Sequence, residues 1–296
     1  MRSRPTGLAA ALGAALVLTI TSCSSDGASP EASAPTSSAA PSSDAARGTY
    51  LALGDSVPFG FRGGATAEFS DEANFVGYPE LVGEELGLEV VNAACPGETT
   101  ASFLDVTAQS NGCENSLQSG FGYRTAYPLH VRYDSLDQSQ MAFAVRTLAE
   151  TDDVDLVTLQ IGANDAFLCQ QTTASRCLDM ADLQAMAQTL KGNLDRILAT
   201  LRNEAGYDGQ IVVVTYYALN YADPTGAATQ LLDNAIAQVA AAHQADVANG
   251  YTAFKPRADA SAGNSVAAGL VLPNDVHPSA DGQQLLADAV TAVVED

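Results

Sequence analysis

Gln210-Ile211-Val212-Val213-Val214-Thr215 decides the fold. Val212, Val213 and Val214 follow one another with no polar residue between them. A strand with one face in water alternates apolar and polar, so this run is read as a strand covered on both faces. Double coverage is the mark of parallel sheets, whose crossover helices pack on each side. Helical patterns stand where that requires them, over 180–201 before the run and over 228–245 after it. Further strands are predicted over 50–53, 88–93 and 154–161, with a fifth near 251–254. Further helices are predicted over 78–86, 136–149 and 281–294. Pro79 sits at a first-turn position that tolerates proline. Asp281 with Gln284 three residues on suits a capped start for the last helix. Alternating strands and helices predict an α/β fold, a three-layer α/β/α sandwich about a central, mostly parallel five-stranded sheet.

Ligands in such folds sit beyond the carboxyl ends of the strands. Polar motifs gather there. Gly54-Asp55-Ser56 ends the first strand, Gly97 follows the second, and Gly162-Ala163-Asn164-Asp165 follows the third. Asp275-Val276-His277-Pro278 stands before the last helix. Ester cleavage needs these residue types. A serine hydroxyl can attack an acyl carbon once a base takes its proton, and an imidazole titrates near neutral pH. The tetrahedral oxyanion then needs donors fixed in advance, such as the side-chain amide of Asn164. A lone serine or asparagine at a turn is usually only a turn residue, so the case rests on their occurring together.

Together the blocks resemble those of the SGNH hydrolases, also called GDSL esterases and lipases. Gly54-Asp55-Ser56 matches the nucleophile block, and 92–100 resembles the glycine block. Gly162-Ala163-Asn164-Asp165 matches the third block, and Asp275-Val276-His277-Pro278 resembles the histidine block. The resemblance runs from Gly48 to the C-terminus and implies a flavodoxin-like fold. It implies Ser56 as nucleophile, His277 as base, and an oxyanion hole of the Ser56 and Gly97 backbone N–H groups with the Asn164 amide. Many members place the triad carboxylate three residues before the histidine, where this chain has Asn274. Either Asp275 or the Asn274 carbonyl is therefore expected to orient His277. No cofactor or metal is implied.

Other polar residues have plainer readings. Asp55 is read as a turn or capping group, and Asp165 as a partner of its own loop. His243 is read as a partly exposed helix residue, and His130 as a residue that could line the cleft. Gly263-Asn264-Ser265-Val266-Ala267 imitates a nucleophile elbow, but it follows no convincing strand and leaves little chain for an acid before His277. Phe59 and Phe61 are candidate pocket residues. Segment 102–134 has little regular pattern and holds five aromatics, which either wall the pocket or anchor a long loop.

Arg2 and Arg4 precede an apolar run over 8–20, the pattern of a signal peptide over 1–22. Ile20-Thr21-Ser22-Cys23 resembles a bacterial lipobox, with Cys23 the lipidated residue. A Ser/Ala/Pro stretch completes a flexible linker over 23–47, leaving 48–296 as the folded domain. The four remaining cysteines suggest two disulfides in an exported domain. Three pairings are open, and local loop closure favours Cys95 with Cys113 and Cys169 with Cys177. Neither spacing suits zinc. With 13 basic and 35 acidic residues, a net charge of −22 excludes a nucleic-acid partner. The expected protein is a monomer, secreted or lipid-anchored on the outer side of the cell membrane, acting on a lipid or acylated-carbohydrate ester.

Overall fold

The computed structural model describes residues 48–63, 69–117 and 120–294. The expected signal peptide, lipidated Cys23 and linker lie outside them. Five strands form one parallel sheet in the order β2-β1-β3-β4-β5. They are β1 (Thr49–Gly54), β2 (Glu89–Asn92), β3 (Val154–Gln160), β4 (Gln210–Val214) and β5 (Asp246–Ala248). Every residue of β1 is buried, as are the last five of β3 and the last four of β4. Leu51, Leu53, Leu156 and Leu159 are fully buried. Burying each such side chain is worth about 1.5–3 kcal/mol.

Helices cover both faces. On one side α1 (Tyr78–Leu86) and α8 (Gly250–Asp259) pack on α9 (Ala280–Thr291). On the other, α2 (Thr100–Leu104), α5 (Ala163–Thr172) and α7 (Pro224–Ala242) pack against α6 (Met180–Ala199). Helix α4 (Gln140–Glu150) packs on α2, and α3 (Tyr123–Ala126) is a single turn in the long segment between. Among the described residues no helix is long and apolar enough to cross a membrane.

Two sequence expectations are corrected. The fifth strand is 246–248, and 251–254 lies inside α8. Asn249 caps α8 by accepting from the Thr252 N–H, so the chain turns helical there, and Phe254 is the apolar face of that helix. The cap of α9 is Ser279, which accepts from the Gly282 N–H, with Asp281 in the first turn.

In the order 2-1-3-4-5, β2 is laid on one side of β1 and β3, β4 and β5 on the other, so the order of strands reverses between β1 and β3. The crevice beyond their carboxyl ends is the switch point where such folds bind ligands.

Candidate active site

Ser56 is presented at the end of β1. Gly54 has φ +137°, and a Cβ there would come within 2.0 Å of the Gln160 carbonyl oxygen, so only glycine lets β1 end against β3. The Asp55 carboxylate accepts the Val57 N–H at 3.0 Å and the Tyr216 hydroxyl at 2.5 Å. It is thus the closing group of the turn that exposes Ser56. From α4, Gln140 accepts the Gly54 N–H at 2.6 Å and donates to the Gly54 carbonyl at 3.0 Å. From α9, Gln283 donates to the Val57 carbonyl at 3.1 Å and accepts the Tyr78 N–H at 2.9 Å.

The loop before α9 delivers the imidazole. His277 Nε2 lies 2.9 Å from Ser56 Oγ, and Nδ1 lies 2.6 Å from Asp275 Oδ1. Asp275 Oδ2 accepts the Gly63 N–H at 2.7 Å, and Oδ1 also takes the Val276 N–H at 2.7 Å. Burial works to raise the Asp275 carboxyl, but the bonds from His277, Gly63 and Val276 prevail and hold it well below the usual carboxylate range. Phe61 meets the His277 ring edge-on at 5.0 Å, and Tyr217 donates to the Val276 carbonyl at 2.6 Å.

Gly97 and Asn164, the expected oxyanion donors, are both buried. Gly97 has φ +79°, and a Cβ on it would stand 2.6 Å from the Gly112 nitrogen. Asn164 is 5% exposed; its Nδ2 lies 3.5 Å from Asp55 Oδ2, at the outer limit of a hydrogen bond. Among the described residues, neither the Ser56 N–H nor the Gly97 N–H is taken by an acceptor. Cys95 is bonded to Cys113 and Cys169 to Cys177. Bridges of this kind are typically worth about 2–4 kcal/mol each.

The structure keeps several other groups out of this cluster. Ser265 is fully buried and donates to the Ala218 carbonyl. His130 Nε2 sits 3.1 Å from the Phe59 carbonyl, and His243 is paired with Asp195 at 2.7 Å. Phe59 and Phe61 are buried in an aromatic cluster with Phe69 and Phe75, so they are core and not an open pocket wall. Tyr123 and Tyr127 pack edge-on against Phe61, which anchors the long segment to the nucleophile loop. Gln140, Tyr216 and Gln283 brace the site but show no local signal in the sequence. Their partners are far away along the chain.

Among the carboxyl groups that burial pushes up, Asp55 and Asp165 reach about 6, and Glu98 and Asp233 about 7. Their hydrogen bonds offset this only in part. Asp165 accepts the Thr100 N–H and hydroxyl, which ties α5 to α2, and Glu98 accepts from Ser102 and Gln140. Folded, these groups keep their protons up to about pH 6–7; unfolded, they lose them near about pH 4. In that window the unfolded state binds fewer protons, so stability falls as pH rises. We expect the thermal midpoint to drop between about pH 5 and 7 and then level off. Asp275 acts in the opposite direction, but only below about pH 4. A calorimetric midpoint that climbs from pH 5 to 7 would contradict this reading, and Glu98→Gln is expected to flatten the slope.

A flavodoxin-like sheet with a serine, an imidazole and a carboxylate joined in line at its switch point defines an SGNH-type hydrolase. The sequence matches the GDSL-like lipase/acylhydrolase family model over residues 52–285, and the chain belongs to that family. It is thereby a hydrolase of the esterase/lipase type. No curated protein matches the sequence. Among solved structures, the fold is similar to phospholipase A1 from Streptomyces albidoflavus NA297, with TM-score 0.54 and 21% identity over 83% of this chain and 99% of that one. It is similar to an extracellular lipase from Streptomyces rimosus, with TM-score 0.53 and 22% identity over 83% of this chain and 100% of the other. It is also similar to an acetylxylan esterase from Geobacillus stearothermophilus, with TM-score 0.51 and 18% identity over 84% and 96% of the two chains.

Proposed function

We propose that the protein is a serine ester hydrolase, exported and lipid-anchored at Cys23, that works through an acyl-enzyme on Ser56. The observation that carries this is the unbroken line from Ser56 Oγ to His277 at 2.9 Å and from His277 to Asp275 at 2.6 Å. His277 Nε2 takes the Ser56 proton as Oγ bonds to the acyl carbon. Asp275 holds Nδ1–H, and so keeps Nε2 free to accept and stabilises the imidazolium. The Ser56 and Gly97 N–H groups and Asn164 Nδ2 receive the oxyanion. The tetrahedral species collapses, the C–O bond to the alcohol breaks, and His277 returns its proton to the leaving oxygen. Water then attacks the acyl-enzyme and gives a proton to His277. The acid departs and Ser56 recovers its hydroxyl.

The lipobox-like segment and the linker support a tether that holds domain 48–296 off a membrane surface. The solved structures of like fold are named as enzymes of lipid and of acetylated-carbohydrate esters. An ester of one of these two classes is the proposed substrate, and an ester panel of varied acyl length alongside acetylated glycans separates them. A fluorophosphonate probe tests the nucleophile. The native protein is expected to label and Ser56→Ala to stay unlabelled. Equal labelling of both, or of neither, rejects Ser56 as nucleophile, and the second result favours a silent binding protein.

A further inference from the structure

The geometry points to Asn111 as the residue that sets the oxyanion hole, fixing which way the Asn164 amide faces and where the Gly97 peptide stands. This rests on the oxyanion reading above. The oxygen and the NH2 group of an asparagine amide occupy nearly the same space, so only its partners decide which points where. To receive an oxyanion, Asn164 must offer Nδ2. Its Oδ1 accepts from Asn111 Nδ2 at 2.9 Å, which leaves Nδ2 on the side of Asp55 and the neighbouring Ser56. Asn111 is held in its turn: its Oδ1 accepts from Gln171 Nε2 at 2.9 Å, so its NH2 group is the one that faces Asn164. An inverted Asn164 would set NH2 against NH2 at Asn111. It would also turn Oδ1 toward the Asp55 oxygen and toward the developing negative charge.

The main chain of the same residue acts on the second donor. The Asn111 N–H donates to the Gly97 carbonyl at 2.7 Å, which holds the peptide that follows Gly97, the unit adjoining the one that carries the Gly97 N–H. The two backbones touch: a Cβ on Gly97 would lie 2.7 Å from the Asn111 carbonyl oxygen. Cys113, two residues beyond Asn111, is bonded to Cys95, two residues before Gly97. The loop is therefore stapled at the place where it reads both donors. Among the described residues, the Asn111 side chain bonds only Asn164 and Gln171, so it acts through Asn164 as a positioning residue.

Asn111→Ala removes the side chain and keeps the N–H on Gly97. Asn111→Asp keeps the shape but offers only acceptors, which draws Asn164 Nδ2 away from the substrate. On a short-chain ester we expect kcat to fall about 10-fold for Asn111→Ala and about 100-fold for Asn111→Asp, with KM within about threefold of native. Both variants are checked for a native melting transition, and the aspartate variant carries the test if the alanine variant is unfolded. In an Asn164→Ala background, Asn111→Ala is expected to cost less than about twofold more, since its route of action is already gone. A native kcat in Asn111→Asp, or the full Asn111→Ala loss repeated in the Asn164→Ala background, overturns the assignment. Asn164→Ala with undiminished kcat removes the oxyanion reading itself, so the two failures are distinguishable.

Discussion

His277→Ala is expected to lower kcat by about 10⁴–10⁶ with little change in KM. No other group in the described structure can replace the imidazole. His130 is committed to the Phe59 carbonyl and His243 to Asp195. Asp55 is close to the serine in sequence, but its two oxygens are occupied by Val57 N–H and the Tyr216 hydroxyl. The loss is read best on an alkyl ester, whose alcohol needs a proton to leave; an activated aryl ester would mask half of the role. Steady-state kinetics showing His277→Ala within about tenfold of native would remove the imidazole from the mechanism.

The second large effect is at Asp275. Asp275→Asn is expected to cost about 10³–10⁴ in kcat, because the substituted amide cannot satisfy both sides of its site. Oδ1 now takes His277 Nδ1–H and the Val276 N–H, while Oδ2 takes the Gly63 N–H. If the amide nitrogen faces His277, the ring adopts the wrong tautomer and Nε2 points a hydrogen at Ser56. If it faces Gly63, two donors meet and the nucleophile loop must move. Activity within about tenfold of native would assign the orienting role to the Asn274 carbonyl instead.

The sheet was legible because β1 and β4 are nearly pure apolar runs, the first ending in Gly54 and the second followed by Thr215, and because Leu156, Val157 and Leu159 keep β3 apolar ahead of Gly162. That signal needs no tertiary information. The fifth strand was not, because three residues, Asp246–Ala248, carry no pattern of their own. Tyr251 and Phe254 give the next segment an apolar content like that of a strand, yet their spacing of three is that of a helix face. At the site, Ser56, Gly97, Asn164 and His277 stand in recognisable blocks, whereas Asn111 and Gln140 do not. Each of those works through a side-chain amide whose partners lie far away in sequence. Gln140 meets Gly54 across 86 residues and Asn111 meets Asn164 across 53. Periodicity cannot report such pairs. The burial of Phe59 and Phe61 is hidden in the sequence for a related reason. An aromatic beside a nucleophile can face a pocket or a core, and the neighbours that decide it, Phe69 and Phe75, reach it only in the fold.

The bond between Ser56 and His277 spans 221 positions of the chain. A polypeptide that emerges N-terminus first therefore shows its hydroxyl early and its imidazole almost last. Until α9 docks and Gln283 clamps the Val57 turn, the serine has nothing to deprotonate it. In the mechanism proposed above, a chain that stops short of the His277 loop therefore carries the hydroxyl without its base.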